Sequence, residues 1–434
     1  MSTALTTCLQ STIYERSRQY AAANRRRVLL KNMRKFTKIF VTAKGEKALR
    51  GGHPWVYSDE VTGVSGAYEN GGLVDVFSEK SRYLGTGFIN DNSKIRVRII
   101  SKNTNDKFDS EFYRRRIRYA VDYRRTVMAE DFSCCRLIFG EADMFPGLTV
   151  DRFGDILVTQ VLSLGTELIK DELYRLLAEE LERGGDKISA IYERNDAKIR
   201  ELEGLEEHTG FWSGLKTDLD GTVQIVENGI RFSVDYINGQ KTGFFLDQKY
   251  NRAAIRRIAH GRRVLDCFTH TGAFALNASA AGAKQVTAVD ISADALKMTK
   301  RNAELNGLEL ELVEANVFEY LTKLYKTGSS PYDFIILDPP AFTKSSNTVK
   351  SAVRGYKEIN LKAMRLLPRG GYLATCSCSH FMTEPLFKQM LHDAAADADV
   401  SLRQIEARRQ SPDHPILWNV PETDYLKFYI FQVV

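Results

Sequence analysis

Two short segments in the C-terminal half place reactive side chains where apolar runs stop. Asp338 ends Phe334-Ile335-Ile336-Leu337 and precedes Pro339-Pro340, and Cys376-Ser377-Cys378 ends Tyr372-Leu373-Ala374-Thr375. Short apolar runs closed by turn formers read as buried strands, so a carboxylate and two thiols stand at strand tips. Paired prolines fix a rigid extended exit that could hold a planar base; the plainer alternative is a turn with a capping Asp. A strand-tip thiol beside an acid is a candidate nucleophile, although a cysteine there is equally a small buried hydrophobe. One chemistry needs both groups. Carbon-5 of cytosine is a poor nucleophile toward a methyl sulfonium until a thiolate adds at carbon-6 and makes the ring enamine-like. Methylation follows, then the carbon-5 proton and the thiolate leave, while Asp338 would hold N3–H and the exocyclic amine. Methylation of an exocyclic nitrogen or a hydroxyl would need no cysteine.

The stretch from Val264 to Asp290 offers a seat for the methyl donor. Val264-Leu265-Asp266-Cys267 reads as a buried strand, Phe268 to Gly272 as a tight loop, the small residues after Ala273 as a helix, and Val286 to Asp290 as a second strand ending in a carboxylate. In a doubly wound α/β domain ligands lie beyond the carboxyl ends of the strands. A dinucleotide fingerprint needs G-x-G-x-x-G in this turn, whereas here Gly272 stands alone and Asp266 would repel a pyrophosphate. Adenosyl-methionine suits the stretch better: Asp266 would attract its positive groups, Gly272 would let the loop approach it closely, and Asp290 would accept from its ribose diol. An α/β domain without a cofactor is the alternative.

The elements around these tips alternate between strand and helix. Strands are expected at 310–313, 334–338 and 372–376, with helices at 293–305, 347–367 and 384–396, which implies a parallel α/β sheet. Residues 425–433 read as a final edge strand. Upstream, Asn228-Gly229 marks a hairpin within 223–234, and Lys241 to Gln248 precede a basic helix, 249–259. Between residues 37 and 101 short alternating strands at 38–41, 72–77, 83–89 and 95–100 suggest a small β-barrel. The middle region shows a helix at 108–128, a hairpin around Phe153-Gly154-Asp155, a helix at 166–181 and a strand at 188–192, an α+β pattern. The expected divisions are a leader at 1–36, the barrel at 37–104, the α+β domain at 105–220 and the α/β domain at 221–434.

The net charge of +6 is concentrated in the leader, since residues 1–37 carry eight Lys/Arg against Glu15 and the remainder sums to −1. That leader reads either as an extension upstream of Met33 or a disordered tail, or as an Arg-rich targeting segment without a clear cleavage signal. A local patch is more informative: residues 80–125 hold 13 basic and five acidic residues. Arg96 and Arg98 on one strand face, followed by the Arg-rich helix from Arg114 to Arg125, make an RNA-contacting surface or a solvated basic face. No apolar run approaches the ~20 residues of a membrane span, so no membrane partner is expected. Six cysteines without C-x-x-C spacing argue against zinc, and free thiols fit a cytoplasmic location.

Taken together, Gly52-His53-Pro54-Trp55-Val56-Tyr57, Phe145-Pro146-Gly147-Leu148-Thr149-Val150-Asp151, Lys241-Thr242-Gly243-Phe244-Phe245-Leu246-Asp247-Gln248, Asp338-Pro339-Pro340-Ala341-Phe342 and Ser377-Cys378-Ser379 resemble the RlmI-type class I adenosyl-methionine-dependent 23S rRNA cytosine-5 methyltransferases. The resemblance covers nearly all of residues 37–434. It implies a PUA-like β-barrel that binds RNA, an α+β middle domain and a Rossmann-like class I methyltransferase domain. It also implies S-adenosyl-L-methionine as cofactor and 23S rRNA or its precursor as partner; a homodimer is compatible with it. By position, Cys378 matches the nucleophile and Asp338 the strand-four acid, which also borders the cofactor, while Cys376 becomes a neighbour. The implied cofactor set is Asp266, Phe268, Thr271, Gly272 and Asp290, with Gln248 as a further contact. Asn316 stands where the family often has Asp, and its amide oxygen could accept from the adenine amine. His380 stands where a small residue is common. Asp413 and His414 are candidates for the base that removes the carbon-5 proton.

Overall fold

The computed structural model describes residues 36–215, 219–328, 330–343 and 345–434. The expectations for the leader fall on residues 1–35, outside the described ones.

The N-terminal unit contains β1 (Thr37–Val41), helix α1 (Ala43–Arg50), β2 (Trp55–Tyr57), β3 (Val61–Ser65), β4 (Leu73–Ser78), β5 (Tyr83–Ile89) and β6 (Ile95–Ser101). They form one six-stranded sheet in the order β2-β6-β5-β4-β1-β3. Alternate residues Ile39, Val41, Val74, Val76, Val97 and Ile99 fill its core, the period-two pattern of a one-sided sheet. The expected strands are all present; α1, β2 and β3 are additional.

In the middle unit α2 (Ser110–Met128), α3 (Leu164–Glu167) and α4 (Lys170–Arg183) accompany β7 (Cys134–Phe139), β8 (Leu148–Phe153), β9 (Ile156–Val161), β10 (Ala190–Asn195) and β11 (His208–Phe211). The strand order is β11-β10-β9-β8-β7, and the β8–β9 hairpin turns at Gly154, whose φ is +66°. The helix expected over 166–181 is interrupted, so α3 and α4 are separate.

The Arg-rich helix α2 is a correction to the sequence reading. It packs Phe112, Ile117 and Val121 into one core with Leu173, Leu177 and Leu181 of α4. Its arginines meet acids across that seam: Arg114 pairs with Glu179 at 2.7 Å, Arg118 with Glu180 at 3.0 Å, and Arg125 with Asp186 at 2.7 Å. Arg115 pairs with Asp106, while Arg124 is fully buried and forks onto Asp143. Arg98 of β6 is likewise held between Glu141 and Glu203, and Arg96 by Asp91. These arginines of α2 and β6 are therefore paired with acids, most of them outside residues 80–125, and do not form a free cationic face.

The C-terminal unit begins with the hairpin β12 (Thr222–Glu227) and β13 (Ile230–Asp235), turning at Asn228 and Gly229 with φ of 53° and 78° as expected for Asn-Gly. Then follow α5 (Lys249–Ala259), β14 (Arg263–Cys267), α6 (Ala273–Ala280), β15 (Gln285–Asp290), α7 (Ala293–Leu305), β16 (Glu311–Glu314), α8 (Val317–Lys326) and β17 (Phe334–Leu337). The chain ends with α9 (Val349–Leu366), β18 (Tyr372–Ser377), α10 (Glu384–Asp397), β19 (Leu402–Arg408) and β20 (Lys427–Val433). The seven-stranded sheet has the order β16-β15-β14-β17-β18-β20-β19. The first five of these strands pair in parallel, and β20 runs antiparallel between β18 and β19. The last strand is thus internal rather than an edge: Phe428 and Ile430 lie in one apolar layer and Tyr429, Phe431 and Val433 in the other. The edge position goes to β19, whose sequence Leu-Arg-Gln-Ile-Glu-Ala-Arg tolerates water. At the switch point β14 and β17 are neighbours, so the carboxyl ends of β14, β17 and β18 open on one crevice.

Candidate active site

The loop after β14 is wound tightly. Phe268, His270 and Gly272 all have positive φ, at 64°, 52° and 82°, and α7 pins the turn through Thr299 Oγ1 to the His270 carbonyl and Asn302 Nδ2 to that of Thr271. The need for glycine at 272 is internal: an added Cβ would meet Thr299 Cγ2 at 2.5 Å. The close approach expected there is made to α7.

Asp266 is buried at the tip of β14. Its Oδ2 accepts from Thr269 Oγ1 at 2.6 Å and from Ala275 N, in the first turn of α6, at 3.0 Å, while Oδ1 is buried without a hydrogen-bond partner. Burial, reinforced by Asp338 and Asp290 and opposed by Thr269, pushes its carboxyl up to about 7. A buried oxygen without a donor, with the two further acids Asp338 and Asp290 nearby, would suit a positive group such as the ammonium expected there. Asp290 accepts from His270 N and Ser292 N, both at 2.9 Å, so it shapes the loop with the carboxylate expected to face a ribose. Asn316 caps α8, its Oδ1 accepting from Phe318 N at 2.9 Å. The amide oxygen expected to meet an adenine amine is thus already engaged. Phe268 packs on Phe342, which also faces Phe318 and Tyr356, an aromatic wall between β14 and α9.

Asp338 and Cys378 lie across the tips of the adjacent strands β17 and β18. Cys378 Sγ is 4.0 Å from the Pro339 carbonyl. Gln248, expected at the cofactor, bridges to the acid: its Nε2 donates to Asp338 Oδ1 at 3.0 Å and its Oε1 accepts from Asn251 at 2.7 Å. Burial and the Asp247 charge push Asp338 up to about 6, against Arg252, Cys376 and Gln248, which favour its ionised form. Burial and the Asp338 carboxylate push the Cys378 thiol up to about 11, with the Lys241 ammonium acting in the opposite sense. The resting thiol is therefore protonated, and neutralising Asp338 favours the thiolate. Cys376 and Cys267 are fully buried, in keeping with their packing roles.

Asp413 is not free to act as the base, whereas His414, its Nδ1 2.9 Å from Asp413, lines a cavity with Lys241 and Asp247. Burial would raise Asp413, but His414 and the hydrogen bonds from His414, Arg136 N and Ser411 hold it down to about 2. Its two oxygens are taken by Arg136 N at 2.8 Å and His414 Nδ1 at 2.9 Å, and its carbonyl accepts from Arg124. Asp413 is a clamp between the C-terminal and middle units.

Three further residues shape the site: Lys427 and Arg252, which sequence reasoning did not single out, and Asp247, which stands in the Lys241–Gln248 segment without an assigned role. Lys427 opens the apolar strand β20 and donates to the carbonyls of Ser379 and Tyr425, at 2.6 and 2.8 Å, fixing the loop that carries Cys378. Burial lowers it to about 8. Arg252 forks onto Glu227, both buried, and reaches the Phe245 carbonyl at 2.8 Å. Asp247 sits beside Gln248 with one oxygen unengaged. Among the described residues no cluster of His, Cys, Asp and Glu suits a metal ion, and no helix is long and apolar enough to cross a membrane.

Comparison with known proteins agrees with this geometry. A sequence profile of S-adenosylmethionine-dependent methyltransferases matches residues 210–431, and one of PUA-like domains matches residues 39–102. The chain is 39% identical over 399 residues to ribosomal RNA large subunit methyltransferase I of Klebsiella pneumoniae (strain 342), spanning 91% of this chain and 98% of that protein. It is 39% identical over 402 residues to the protein of the same name from Tolumonas auensis, spanning 92% and 100%. A solved structure from Streptococcus mutans, described as a SAM-dependent methyltransferase, shares the fold with a TM-score of 0.77 at 22% identity, covering 91% of this chain and 100% of that one. With the strand order of a doubly wound sheet and relatives matched over nearly their whole length, the chain belongs to the S-adenosylmethionine-dependent methyltransferases, in the family of the ribosomal RNA large subunit methyltransferase I proteins.

Proposed function

We propose that this enzyme makes 5-methylcytosine in large-subunit ribosomal RNA through a Cys378 adduct at carbon-6 of the base. The observation that carries the reading is the placement of the Cys378 thiol against the Pro339 carbonyl, next to the raised acid Asp338 whose charge it feels, at the tips of β17 and β18. Adenosyl-methionine supplies an electrophilic methyl group when bound, with Asp266 receiving its ammonium and the 268–272 loop its methionine end. While Asp338 holds its proton, no carboxylate charge opposes the Cys378 thiolate, and the thiol releases its proton to solvent; the sulfur then bonds to carbon-6 as Asp338 gives its proton to N3 and is left as a carboxylate facing N3–H. Carbon-5 then takes the methyl group. Loss of the carbon-5 proton expels the Cys378 thiolate, and the proton on N3 returns to Asp338.

The relatives' name supports a ribosomal RNA substrate. A basic cleft of about 630 Å³ in the N-terminal unit, lined by Lys47, Arg50, Lys80 and Arg82 around the single acid Glu46, suits a phosphate backbone. Gly51 lines this cleft too, and the next residue, Gly52, accepts from Asn419, which neighbours the 95%-exposed Trp418. That order gives the strand a path from the cleft past a stacking ring toward the loop bearing Cys378. Mapping the methylated base in rRNA treated with wild type or with Cys378→Ala tests the reading. 5-Methylcytosine formed by the wild type alone supports it, and undiminished methyl transfer by the variant overturns it.

A further inference from the structure

The site leaves one carboxylate half used. Asp247 Oδ2 accepts from Tyr425 Oη at 2.7 Å and its carbonyl from Ser411 N at 2.8 Å, whereas Oδ1 is buried with no hydrogen-bond partner among the described residues. The residue is only 8% exposed, so this oxygen is buried with no protein donor among the described residues, a polar group that a ligand donor would satisfy. Asp247 lines a cavity of about 150 Å³ with Gln160, Lys241, Phe245, His414 and Tyr425.

This cavity borders the reaction centre through Phe245, Lys241 and Asp247. The Phe245 ring is 5.0 Å from His270 of the cofactor loop, and the Lys241 ammonium stands 4.9 Å over the same ring. Lys241 is close enough to Cys378 to favour its thiolate, and the charge of Asp247 reaches both Asp338 and Cys378. The two carboxylates are held in opposite states. Burial and Asp247 keep Asp338 partly protonated, whereas His414, Lys241 and the Tyr425 hydroxyl keep Asp247 ionised although burial opposes this. A pair driven apart in this way divides its tasks between proton donor and pure acceptor. Asp338 is also committed to Gln248 and to the Cys376 thiol, which limits what else it can hold.

We infer that Asp247 reads the exocyclic amine of the target base, its Oδ1 accepting an N4–H of cytosine while Asp338 serves N3 and Phe245 walls the cavity. The inference rests on the proposed cytosine reaction and adds the residue that sets its base choice. Uracil offers a carbonyl oxygen where cytosine offers the amine, so it would face the carboxylate oxygen with no shared proton.

The test compares methyl transfer to a substrate RNA carrying cytosine at the target position with transfer to the same RNA carrying uracil. Product bases are identified, and melting curves with and without S-adenosylhomocysteine confirm that each variant is folded. In Asp247→Asn the amide can offer oxygen to cytosine or nitrogen to uracil, so kcat/KM for cytosine should fall about 10- to 100-fold and the cytosine-to-uracil ratio should narrow by at least as much. Asp247→Ser removes the acceptor without adding an amide, and it should lose cytosine turnover to a similar degree with no gain on uracil. A folded Asp247→Asn whose ratio stays within twofold of wild type overturns the inference, as does a folded Asp247→Ser with wild-type cytosine turnover. Wild-type enzyme forming a product other than 5-methylcytosine would instead overturn the reaction on which the inference rests.

Discussion

Gln248 holds Asp338 from the opposite side of the crevice, donating through Nε2 to Oδ1 at 3.0 Å while Asn251 fixes its own oxygen. The acid is thus aimed by the first turn of α5 as well as by its own strand. Gln248→Ala is expected to lower kcat by about 5- to 100-fold, the rate equivalent of roughly 1–3 kcal/mol. Gln248 favours the ionised form of Asp338, so its loss should raise the acid further and move the alkaline limb of the kcat–pH profile upward. A pH–rate profile for the two proteins checks both effects.

Asp266 should make the free enzyme sensitive to pH. Its folded carboxyl is raised to about 7 from an ordinary value of 3.8, so the folded state binds more protons than the unfolded one between these values. Stability then declines as pH rises through that window, with the full loss above pH 7. Thermal melts from pH 5 to 8 should show a steeper decline for wild type than for Asp266→Asn. Calorimetry should find S-adenosylhomocysteine binding weakened about 10- to 100-fold in the variant, the scale of a hydrogen bond to a charged group.

Arg252 and Glu227 form a buried pair that ties α5 to the β12–β13 hairpin. Arg252→Met strands Glu227 without a partner and should cost about 3–5 kcal/mol in urea unfolding.

Charge reversal should separate structural arginines from the cations that meet RNA. Arg114→Glu or Arg118→Glu places like charges against Glu179 or Glu180 and should lower the melting temperature without changing the salt dependence of RNA binding. Lys47→Glu and Lys80→Glu should leave melting unchanged and reduce the slope of log K against log salt by about 0.7 for each phosphate no longer neutralised. Binding titrations between about 50 and 200 mM salt distinguish the two sets.

Much of this is legible in the chain because it is local. The Asn228-Gly229 turn, the apolar run before Asp338 and the helix from Ala293 to Leu305 each announce themselves within a few residues. The strand tips bearing Asp266, Asp338 and Cys378 follow from the same runs, since a parallel sheet gathers its carboxyl ends. What the chain hides is set by distant partners. Edge strand β19 alternates too weakly to be read, because neither of its faces is fully buried. Asp413 could be named as a candidate base because Arg136 and Arg124, which close on it, are 277 and 289 residues away, and the arginines of α2 look free until α4 brings its glutamates. That Gln248 meets Asp338 could not be read either, because the two lie 90 residues apart.

The central claim is that Cys378 bonds to carbon-6 before carbon-5 is methylated. Replacing the target cytosine by 5-fluorocytosine removes the proton whose loss would release the enzyme, so the methylated adduct should persist. With wild-type enzyme and S-adenosylmethionine, a denaturing gel should show an RNA–protein band, and peptide mass spectrometry should place the RNA on Cys378. The contrary result is methyl transfer to fluorinated RNA with no such band, together with full activity of Cys378→Ala on unmodified RNA.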